Sequence, residues 1–419
     1  MRVLVIGGGG REHAICWALK KSPKVRELYC APGNGGIAEV AECVPIQVNQ
    51  FEEIGQFALD HSIDLVVIGP DDPLSEGIVD HLEAKKIPVF GPRKNAAILE
   101  ASKVFSKDLF KKYNIPTAAY ESFENYDEAL SYLHKQQIPI VIKADGLAAG
   151  KGVVVAQSME EAEKALHDIM VTKIFGASGD QVVIEEFLSG QEMSILSFVD
   201  GNVVRPMVPA QDHKAVFDDD KGPNTGGMGT YTPLPHIPQS IIDEAIETII
   251  KPTAAAMVSE GRSFRGVLFA GLMITPQGPK TIEFNARFGD PETQVVLPRL
   301  KTDLLDIFLA AVNGHLEQMD IQWSDEAAVC VILASEGYPA FYPKGLPIEG
   351  LDKVKDALVF HAGTALKDGQ IVTNGGRVLG VTALGKDIAE AREKAYTAAD
   401  CIRFDGMHYR SDIAKKALV

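Results

Sequence analysis

Four consecutive glycines follow the first apolar segment of the chain, and they restrict the fold of its amino-terminal region more than any other feature. Residues 2–6 predict a buried strand, Gly7 to Gly10 predict a tight turn, and a helix is expected from Arg11 to Lys21. Free amide groups at the start of such a helix bind anions. This order of elements therefore predicts a parallel, Rossmann-like sheet that holds a phosphate at the carboxyl ends of its strands.

The glycine pattern differs from that of a dinucleotide-binding site. After Gly7 and Gly9 the third glycine of the fingerprint would fall at position 12, where the chain has Glu12. The second predicted strand, residues 27–30, is followed by a glycine-rich loop without an acidic residue for a ribose diol. A nicotinamide-dependent oxidoreductase is therefore disfavoured and a monophosphate is the expected ligand. The alternative is that the glycines only allow close packing.

A second informative stretch predicts a metal site. If it is extended, Glu283 and Asn285 point to one side of a strand, and Ile282 and Phe284 point to the other. Carboxylate and amide oxygens suit Mg²⁺ or Mn²⁺, which would take its remaining ligands from water and phosphate. Arg287 continues the polar side and fits phosphate or carboxylate. For an isolated Glu-x-Asn pattern, the alternative is a solvated acidic face.

A glycine-rich segment between two predicted strands indicates a flap over phosphates. Strand 138–142 ends at Lys143, and the next strand begins after Gly150, Lys151 and Gly152. This is not a Walker A loop, because glycine replaces the Ser/Thr and a strand follows instead of a helix. Backbone amides of such a loop can close over phosphates while the lysines add positive charge. A plain hairpin turn is the alternative.

Further nucleotide contacts are expected on either side of this flap. Lys103 and Lys107 lie one turn apart on a predicted helix, where one of them contacts a phosphate or both are exposed to solvent. After the strand 181–185, an extended segment flanked by acids can present backbone groups to a purine, with Glu192 on the ribose. The predicted nucleotide contacts in this segment are Glu185, Glu186, Leu188 and Glu192.

Composition and charge exclude several kinds of partner. The net charge of −16 argues against nucleic acid and against an anionic membrane surface. The five cysteines form no C-x-x-C pair, so neither a disulfide framework nor a zinc site is expected. No apolar run reaches the ~18 residues of a membrane helix, and a strand begins at the amino terminus in place of a signal peptide. We therefore expect a cytoplasmic monomer that binds neither nucleic acid nor membrane.

Together these motifs resemble the ATP-grasp superfamily and, within it, the phosphoribosylamine–glycine ligase family, also called glycinamide ribonucleotide synthetases. The segments that carry the resemblance are GGGGREH (7–13), QDHK (211–214), PNTGGMG (223–229) and RFGDPETQ (287–294). The resemblance covers nearly the whole chain. It implies ATP-dependent ligation of glycine to 5-phosphoribosylamine through glycyl phosphate, which gives glycinamide ribonucleotide in the second step of de novo purine biosynthesis.

The resemblance also implies roles for individual residues. Lys143 and Arg287 would offset charge at the transferred phosphoryl group, and Asp212 or Asp290 would meet the ammonium of glycine. The residues expected around the ribose phosphate are Gly8, Gly9, Gly10, Arg11 and Asn34. Those expected to line the acceptor site are Gly226, Gly227 and Met228.

The expected fold is a multidomain α/β and α+β protein. A Rossmann-like (pre-ATP-grasp) domain is predicted for residues 1–101, on the phosphoribosylamine side. An ATP-grasp domain is predicted for 102–325, with a mobile flap subdomain at about 120–190, and a small β-rich α/β domain for 326–419. The alternatives for function are another ATP-grasp carboxylate–amine ligase or carboxylase, which would release ADP with another acceptor, and a sensor that binds ATP without catalysis.

Overall fold

The computed structural model describes residues 1–148 and 152–418, and its first sheet is parallel, with strand order β3-β2-β1-β4-β5. The elements of this part are β1 (Arg2–Gly7), α1 (Gly10–Lys20), β2 (Glu27–Pro32), β3 (Glu42–Cys43), α2 (Phe51–Asp60), β4 (Leu65–Ile68), α3 (Asp71–Glu76), α4 (Ile78–Ala84), β5 (Val89–Phe90) and α5 (Lys94–Ala101). Val3 to Ile6 are fully buried, as expected for a strand covered on both faces. The predicted Rossmann-like fold of this region is confirmed.

A four-stranded antiparallel sheet, β6-β9-β7-β8, follows in the chain and has its own hydrophobic core. Its elements and the helix before them are α6 (Lys103–Tyr113), β6 (Tyr120–Phe123), α7 (Tyr126–Leu133), β7 (Ile140–Ala144), β8 (Val153–Ala156), α8 (Met159–Met170) and β9 (Val182–Glu186). β7 and β8 pair antiparallel, with Lys143 opposite Val153, which is the strand–loop–strand arrangement predicted for the flap. Gly150 and Lys151, predicted to contact phosphate, lie outside the described residues.

The second antiparallel sheet, in the order β11-β10-β16-β17, carries the predicted metal strand. The elements from β10 onward are β10 (Gln191–Asp200), β11 (Val203–Pro206), β12 (Gln211–Asp212), β13 (Ala215–Phe217), β14 (Lys221–Asn224), β15 (Gly229–Thr232), α9 (Gln239–Ala245), α10 (Lys251–Ser259), β16 (Arg265–Thr275) and β17 (Gly278–Asn285). β17 contains a bulge, because Gly271 pairs with Glu283 whereas Leu272 pairs with Thr281. The residue between them, Ile282, is left without a partner in the ladder.

The bulge modifies the simple alternation predicted for β17. Phe284 is buried in the main core and packs against Phe110, as expected for the apolar side. Ile282 is only half-buried, and its carbonyl accepts a hydrogen bond from Lys143 Nζ at 3.2 Å. The regular alternation expected for Ile282 and Phe284 is therefore interrupted, because the register of the strand shifts at Ile282.

The last sheet, β12-β15-β18-β22-β19, joins the carboxy-terminal strands to earlier ones. The remaining elements are α11 (Thr293–Val296), α12 (Leu304–Val312), β18 (Ala327–Ala334), β19 (Leu358–His361), β20 (Thr364–Lys367), β21 (Gln370–Thr373), β22 (Arg377–Gly385) and α13 (Ile388–Ala399). β15 pairs antiparallel with β18, from Gly229–Val331 to Thr232–Ala328. The carboxy-terminal strands therefore extend a sheet whose first strand, β12, is the beginning of the QDHK segment. Across the part of the chain that the structure describes, no helix has the length and apolar character needed to cross a membrane.

Candidate active site

The end of β17 brings the two predicted metal ligands to a strongly cationic place. Burial alone would raise the pKa of Glu283, but surrounding positive charges, of which Lys214 has the largest effect, hold that pKa below its usual value. The charged groups that act on Glu283 in this way are Lys214, Lys143, Lys103 and Arg287. Asn285 Oδ1 accepts a hydrogen bond of 3.1 Å from Arg287 Nη2. Glu283 is thus an ionised carboxylate with an amide oxygen two residues away on the same strand.

Arg287 is held in this place by a carboxylate that no sequence motif indicated. Arg287 Nη2 lies 2.9 Å from Glu100 Oε1, and the other oxygen of Glu100 accepts the amide hydrogen of Ala286 at 2.7 Å. Burial raises the pKa of Glu100 to about 7, against the opposing effect of Arg287. Glu100 lies near the end of α5, far from β17 in sequence, so only the fold reveals this pair.

Two lysines and one glutamate form a buried cluster between β17 and the sheet β6-β9-β7-β8, called the flap sheet below. Lys107 Nζ lies 3.1 Å from Glu185 Oε2, and Lys143 Nζ lies 3.0 Å from Glu185 Oε1; all three side chains are at most 5% exposed. Burial lowers the pKa of Lys107 to about 8, although Glu185 opposes this shift. Lys107 also donates to Thr117 Oγ1 at 2.7 Å. Solvent exposure, the alternative for Lys107, is therefore wrong.

The base of the flap is attached to the start of α6. Lys103 Nζ donates to the Gly146 carbonyl at 2.5 Å, and Asp145 Oδ1 accepts the amide hydrogen of Val104 at 3.1 Å. Burial lowers the pKa of Lys103. At the other end of the loop, the Gly152 carbonyl accepts from the Ala144 amide at 2.8 Å. The structure thus brings Lys103 and the described part of the flap together.

The other predicted nucleotide contacts have mixed surroundings. Glu186 is exposed, accepts the Ala119 amide hydrogen at 3.0 Å and pairs with Lys280 at 3.1 Å. Leu188 is half-buried in the segment that leads to β10. Glu192 lies on β10, and its negative charge contributes to the raised pKa of Lys214. Glu192 is therefore near the cationic site, whereas Glu186 is an exposed partner of Lys280.

Asp212 faces the acceptor loop, residues 225–228, from β12. Burial raises the pKa of Asp212 to about 7; Lys214 and Arg377 oppose this effect and Glu292 adds to it. Lys214 Nζ lies 3.5 Å from Asp212 Oδ2. Gly227 has a φ of +117°, and a Cβ built on it would lie 2.7 Å from Asp212 Oδ1. Glycine is therefore required at position 227 for the loop to approach this carboxylate.

Asp290, the second predicted partner for an ammonium group, is already engaged with protein groups. Its Oδ2 accepts the Arg11 amide hydrogen at 3.2 Å, and its Oδ1 accepts from Gln294 Nε2 at 2.8 Å. Arg377 Nη2 lies 3.3 Å from Asp290 Oδ1. Burial would raise the pKa of Asp290, but Arg377 and Arg11 lower it. Asp290 therefore joins the start of α1 to β22.

The glycine turn after β1 is filled by a glutamate from α1. Glu12 Oε2 accepts the Gly9 amide hydrogen at 2.7 Å, and Glu12 Oε1 accepts from Arg11 Nε at 2.6 Å. A Cβ on Gly69 would lie 2.1 Å from Glu12 Oε1, so glycine is needed at the end of β4 as well. Burial opposes the charge of Arg11, but Glu12 and Asp290 raise its pKa above the ordinary value. Position 12, where the dinucleotide fingerprint has glycine, therefore holds a buried glutamate that is hydrogen-bonded to the glycine turn.

Asn34, also predicted beside the ribose phosphate, connects this turn to the carboxy-terminal sheet. Its Nδ2 donates to the Gly8 carbonyl at 2.9 Å and to the His361 carbonyl at 2.7 Å. Its Oδ1 accepts the amide hydrogens of Gly36 and Ile37 at 3.0 and 2.9 Å. The structure brings Gly8, Gly9, Gly10, Arg11 and Asn34 together, while protein contacts already use the Gly9 amide and the Arg11 and Asn34 side chains.

The carboxy-terminal region contributes Arg377, a charged group that was not among the site residues expected from the sequence. Arg377 Nη1 donates to the Gly226 carbonyl at 2.6 Å and to the Asp290 carbonyl at 2.8 Å. The Gly375-Gly376-Arg377 segment was the signal that could have revealed it. Met228 of the acceptor loop is fully buried in a small cluster with Val216 and Ala334, so its side chain is part of a core.

The chain matches three profiles of one family in succession. These are the N domain of phosphoribosylglycinamide synthetase over residues 1–100, its ATP-grasp (A) domain over 101–293 and its C domain over 328–416. The phosphoribosylamine–glycine ligase of Caldanaerobacter subterraneus subsp. tengcongensis is 52% identical over 414 residues, which cover 99% of both chains.

Solved structures give the same result for the three-dimensional fold. The structure of phosphoribosylamine–glycine ligase from Thermotoga maritima superposes with a TM-score of 0.87 at 37% identity, covering 98% of this chain and 100% of that one. The biotin carboxylase domain of Hydrogenobacter thermophilus 2-oxoglutarate carboxylase has a TM-score of 0.74 at 16% identity and covers 97% of this chain and 91% of its own, which shows a common fold alone. The chain therefore belongs to the phosphoribosylamine–glycine ligase family of ATP-grasp enzymes.

Proposed function

We propose that the site around Glu283 performs the reaction of this family, the ATP-dependent ligation of glycine to 5-phosphoribosylamine. The observation that carries the assignment is the group of four cations, Lys214, Lys143, Lys103 and Arg287, around one ionised carboxylate. Such a group offsets the charge of ATP phosphates and of a transferred phosphoryl group. The 52% identity to a phosphoribosylamine–glycine ligase over 99% of the chain supports the choice of substrates.

A divalent cation fits the donors at the end of β17. Among residues 1–148 and 152–418 no group of three or more His, Cys, Asp or Glu side chains is placed to hold a metal. Glu283 and Asn285 would thus hold Mg²⁺ or Mn²⁺ with ATP phosphates and water as the other ligands. Bound there, the ion would offset the negative charge of the phosphates. The Hydrogenobacter thermophilus biotin carboxylase domain was solved with MgADP, which supports a nucleotide-bound metal on this fold.

Asp212 is the better of the two candidates for the ammonium of glycine. Asp290 is occupied by the Arg11 amide, by Gln294 and by Arg377. Asp212 is buried beside Lys214, and its pKa of about 7 is lowered when a cation binds next to it. Bound in this way, the glycine carboxylate would attack the γ-phosphoryl group of ATP and displace ADP, with Lys143 and Arg287 offsetting the developing charge. The amine of 5-phosphoribosylamine would then attack the carbonyl of the resulting glycyl phosphate, displace phosphate and lose a proton to give the amide.

We assign the remaining contacts on the same basis. The amides of Gly8 and Gly10, with Arg11 and Asn34 behind them, would hold the ribose phosphate, while Glu12 keeps the Gly9 amide occupied. Glu185, Glu186, Leu188 and Glu192 would line the nucleotide site, where the buried Glu185 orients Lys107 and Lys143. The proposed domains are 1–101, 102–325 and 326–419, in a cytoplasmic monomer.

Acceptor-dependent ADP formation tests this function. Purified protein is given ATP and Mg²⁺ with glycine, alanine or bicarbonate, each with and without freshly generated 5-phosphoribosylamine. ADP is expected only when glycine and the amine are both present, and Glu283→Gln is expected to reduce the rate at least about 100-fold. The matched control is Glu247→Gln, which removes an exposed carboxylate paired with Lys251 and should leave the rate unchanged.

Three outcomes would contradict the proposal. ADP release with bicarbonate or with another amino acid, but not with glycine, would indicate a different ATP-grasp ligase or carboxylase. ATP binding without ADP release for any acceptor would indicate a nucleotide sensor. If Glu283→Gln ligates at the wild-type rate, Glu283 does not act at the phosphoryl site, although the choice of substrates stands.

A further inference from the structure

The acceptor loop, residues 225–228, is held from outside by a tyrosine of the carboxy-terminal region. The Tyr338 hydroxyl accepts the amide hydrogen of Gly226 at 2.9 Å. On the other side of the same residue, the Gly226 carbonyl accepts from Arg377 Nη1 at 2.6 Å. Both polar backbone groups of Gly226, an exposed glycine, are therefore hydrogen-bonded to side chains. These side chains come more than about 100 residues after β15, so they reach Gly226 only through the fold.

A glycine fixes the position of the tyrosine ring in turn. A Cβ on Gly376 would lie 2.2 Å from Cδ2 of Tyr338 and 3.0 Å from Cε1 of Tyr342, so both rings lie directly on this backbone. The two rings are 6.3 Å apart between centroids. Ser335 contributes to the same arrangement, since its hydroxyl donates to the Gly375 carbonyl at 2.9 Å. The Tyr338 hydroxyl is therefore presented to Gly226 by a packed support.

The position of Gly226 determines the position of the next residue, which touches the site. Gly227 lies so close to Asp212 that a Cβ would come within 2.7 Å of Oδ1. Its amide donates to Thr225 Oγ1 at 2.9 Å, and the Thr225 hydroxyl donates to the Lys214 carbonyl at 2.8 Å. A shift of Gly226 would thus move the backbone against the carboxylate proposed to bind the glycine ammonium.

We propose that Tyr338 is a positioning residue for the glycine substrate: its hydroxyl fixes the acceptor loop at Gly226 and thereby sets the distance between Gly227 and Asp212. This inference rests on the proposed function, because it uses Asp212 as the site of the glycine ammonium. In this proposal Tyr338 acts through the acceptor loop and does not touch the reacting atoms. It therefore affects the affinity for glycine and leaves the affinity for ATP unchanged.

The test compares Tyr338→Phe with Tyr342→Phe. Tyr342 packs on the same glycine, and its hydroxyl makes no hydrogen bond to any residue in the described ranges, so its loss is a matched control. Tyr338→Phe is expected to raise the KM for glycine about fivefold, the effect of one hydrogen bond, with kcat and the KM for ATP within about twofold of the wild type. Tyr342→Phe should match the wild type in all three constants.

A second variant and a second measurement make the test independent of folding losses. Gly376→Ala displaces the Tyr338 ring and should raise the KM for glycine as well. Hydrogen exchange of the Gly226 amide should become faster in Tyr338→Phe and stay unchanged in Tyr342→Phe.

Unchanged KM for glycine in Tyr338→Phe, or an equal loss for glycine and ATP, would overturn the inference. If wild type and Tyr342→Phe fail to use glycine at all, the proposed function fails instead, so the two failures are distinguishable. A selective glycine effect accompanied by faster Gly226 exchange would support the inference.

Discussion

Replacing Glu185 by glutamine removes the one negative charge from the buried Lys107–Glu185–Lys143 cluster while keeping the shape of the side chain. Both lysines contact this carboxylate at 3.0 to 3.1 Å, and the three side chains are at most 5% exposed. A buried ion pair is strongly destabilised when one partner is removed, because the other charge stays buried without compensation. We expect Glu185→Gln to destabilise the flap sheet and its contact with β17.

The magnitude follows from the cost of burying charge and from the pKa of Lys107. Removal of one partner of a buried pair costs about 3–5 kcal/mol. The contribution of the Lys107 charge to this destabilisation is limited, because the lysine can lose its proton. With a pKa of about 8, Lys107 loses its proton at pH 7 for about 1.4 kcal/mol, the value of one pKa unit. We therefore expect a loss of about 3 kcal/mol near pH 7. Near pH 9.5 Lys107 is already neutral in the wild type, so the loss should shrink by about 1.4 kcal/mol.

Urea denaturation near both pH values, with hydrogen exchange in β9, measures this effect. Hydrogen exchange is needed because the flap sheet has its own core and can unfold separately. The matched control is Glu186→Gln, the same change at the next residue, where the carboxylate is exposed and pairs with Lys280; it should cost less than about 1 kcal/mol. A loss below about 1 kcal/mol in Glu185→Gln, or one that grows with pH, would refute the reasoning.

Two further predictions concern pH and metal. Burial, aided by His361, lowers the pKa of His13 in the folded protein to about 3. In the unfolded chain this imidazole is protonated at a higher pH, so the folded state loses stability as the pH falls below about 6.5. The His13→Asn variant keeps an acceptor for the His361 amide, and its free energy of unfolding should fall by about 2 kcal/mol less between pH 7 and pH 5 than that of the wild type. Equal losses in the two proteins, measured by urea denaturation, would argue against this. Because Glu283 and Asn285 are the only protein ligands proposed, calorimetry should detect weak Mg²⁺ binding without nucleotide, and tight binding would contradict the two-ligand site.

Local patterns predicted the elements that carry the site. The strand, glycines and helix at residues 2–20 appear as β1 and α1, and Ser158 accepts the Glu161 amide hydrogen at the start of α8 as its capping pattern predicts. The strand predicted to begin after Gly152 appears as β8. These features are encoded by neighbours in sequence, so periodicity and turn residues are sufficient to find them.

Contacts between residues far apart in the chain could not be predicted from local sequence patterns. Glu100 reaches Arg287 because α5 packs near the end of β17, and Arg377 reaches Gly226 because β22 and β15 belong to one sheet. The bulge at Ile282 depends on its pairing with β16, which no property of the Glu-x-Asn stretch specifies. Lys107 was ambiguous for the same reason, because burial of a lysine is decided by the partner that the fold supplies.

The sheet shared by β12, β15, β18, β22 and β19 limits which parts of the molecule can move as separate bodies. Separating the carboxy-terminal strands from Asp212 would break the ladder between β15 and β18 and expose two unpaired strand edges. The flap sheet is attached differently, since its core is distinct and its described links to α6 and β17 are side-chain bonds. We therefore expect the flap sheet to move relative to β17 more readily than the strands beside Asp212 move relative to each other, since the former needs only side-chain contacts to break and the latter a backbone ladder.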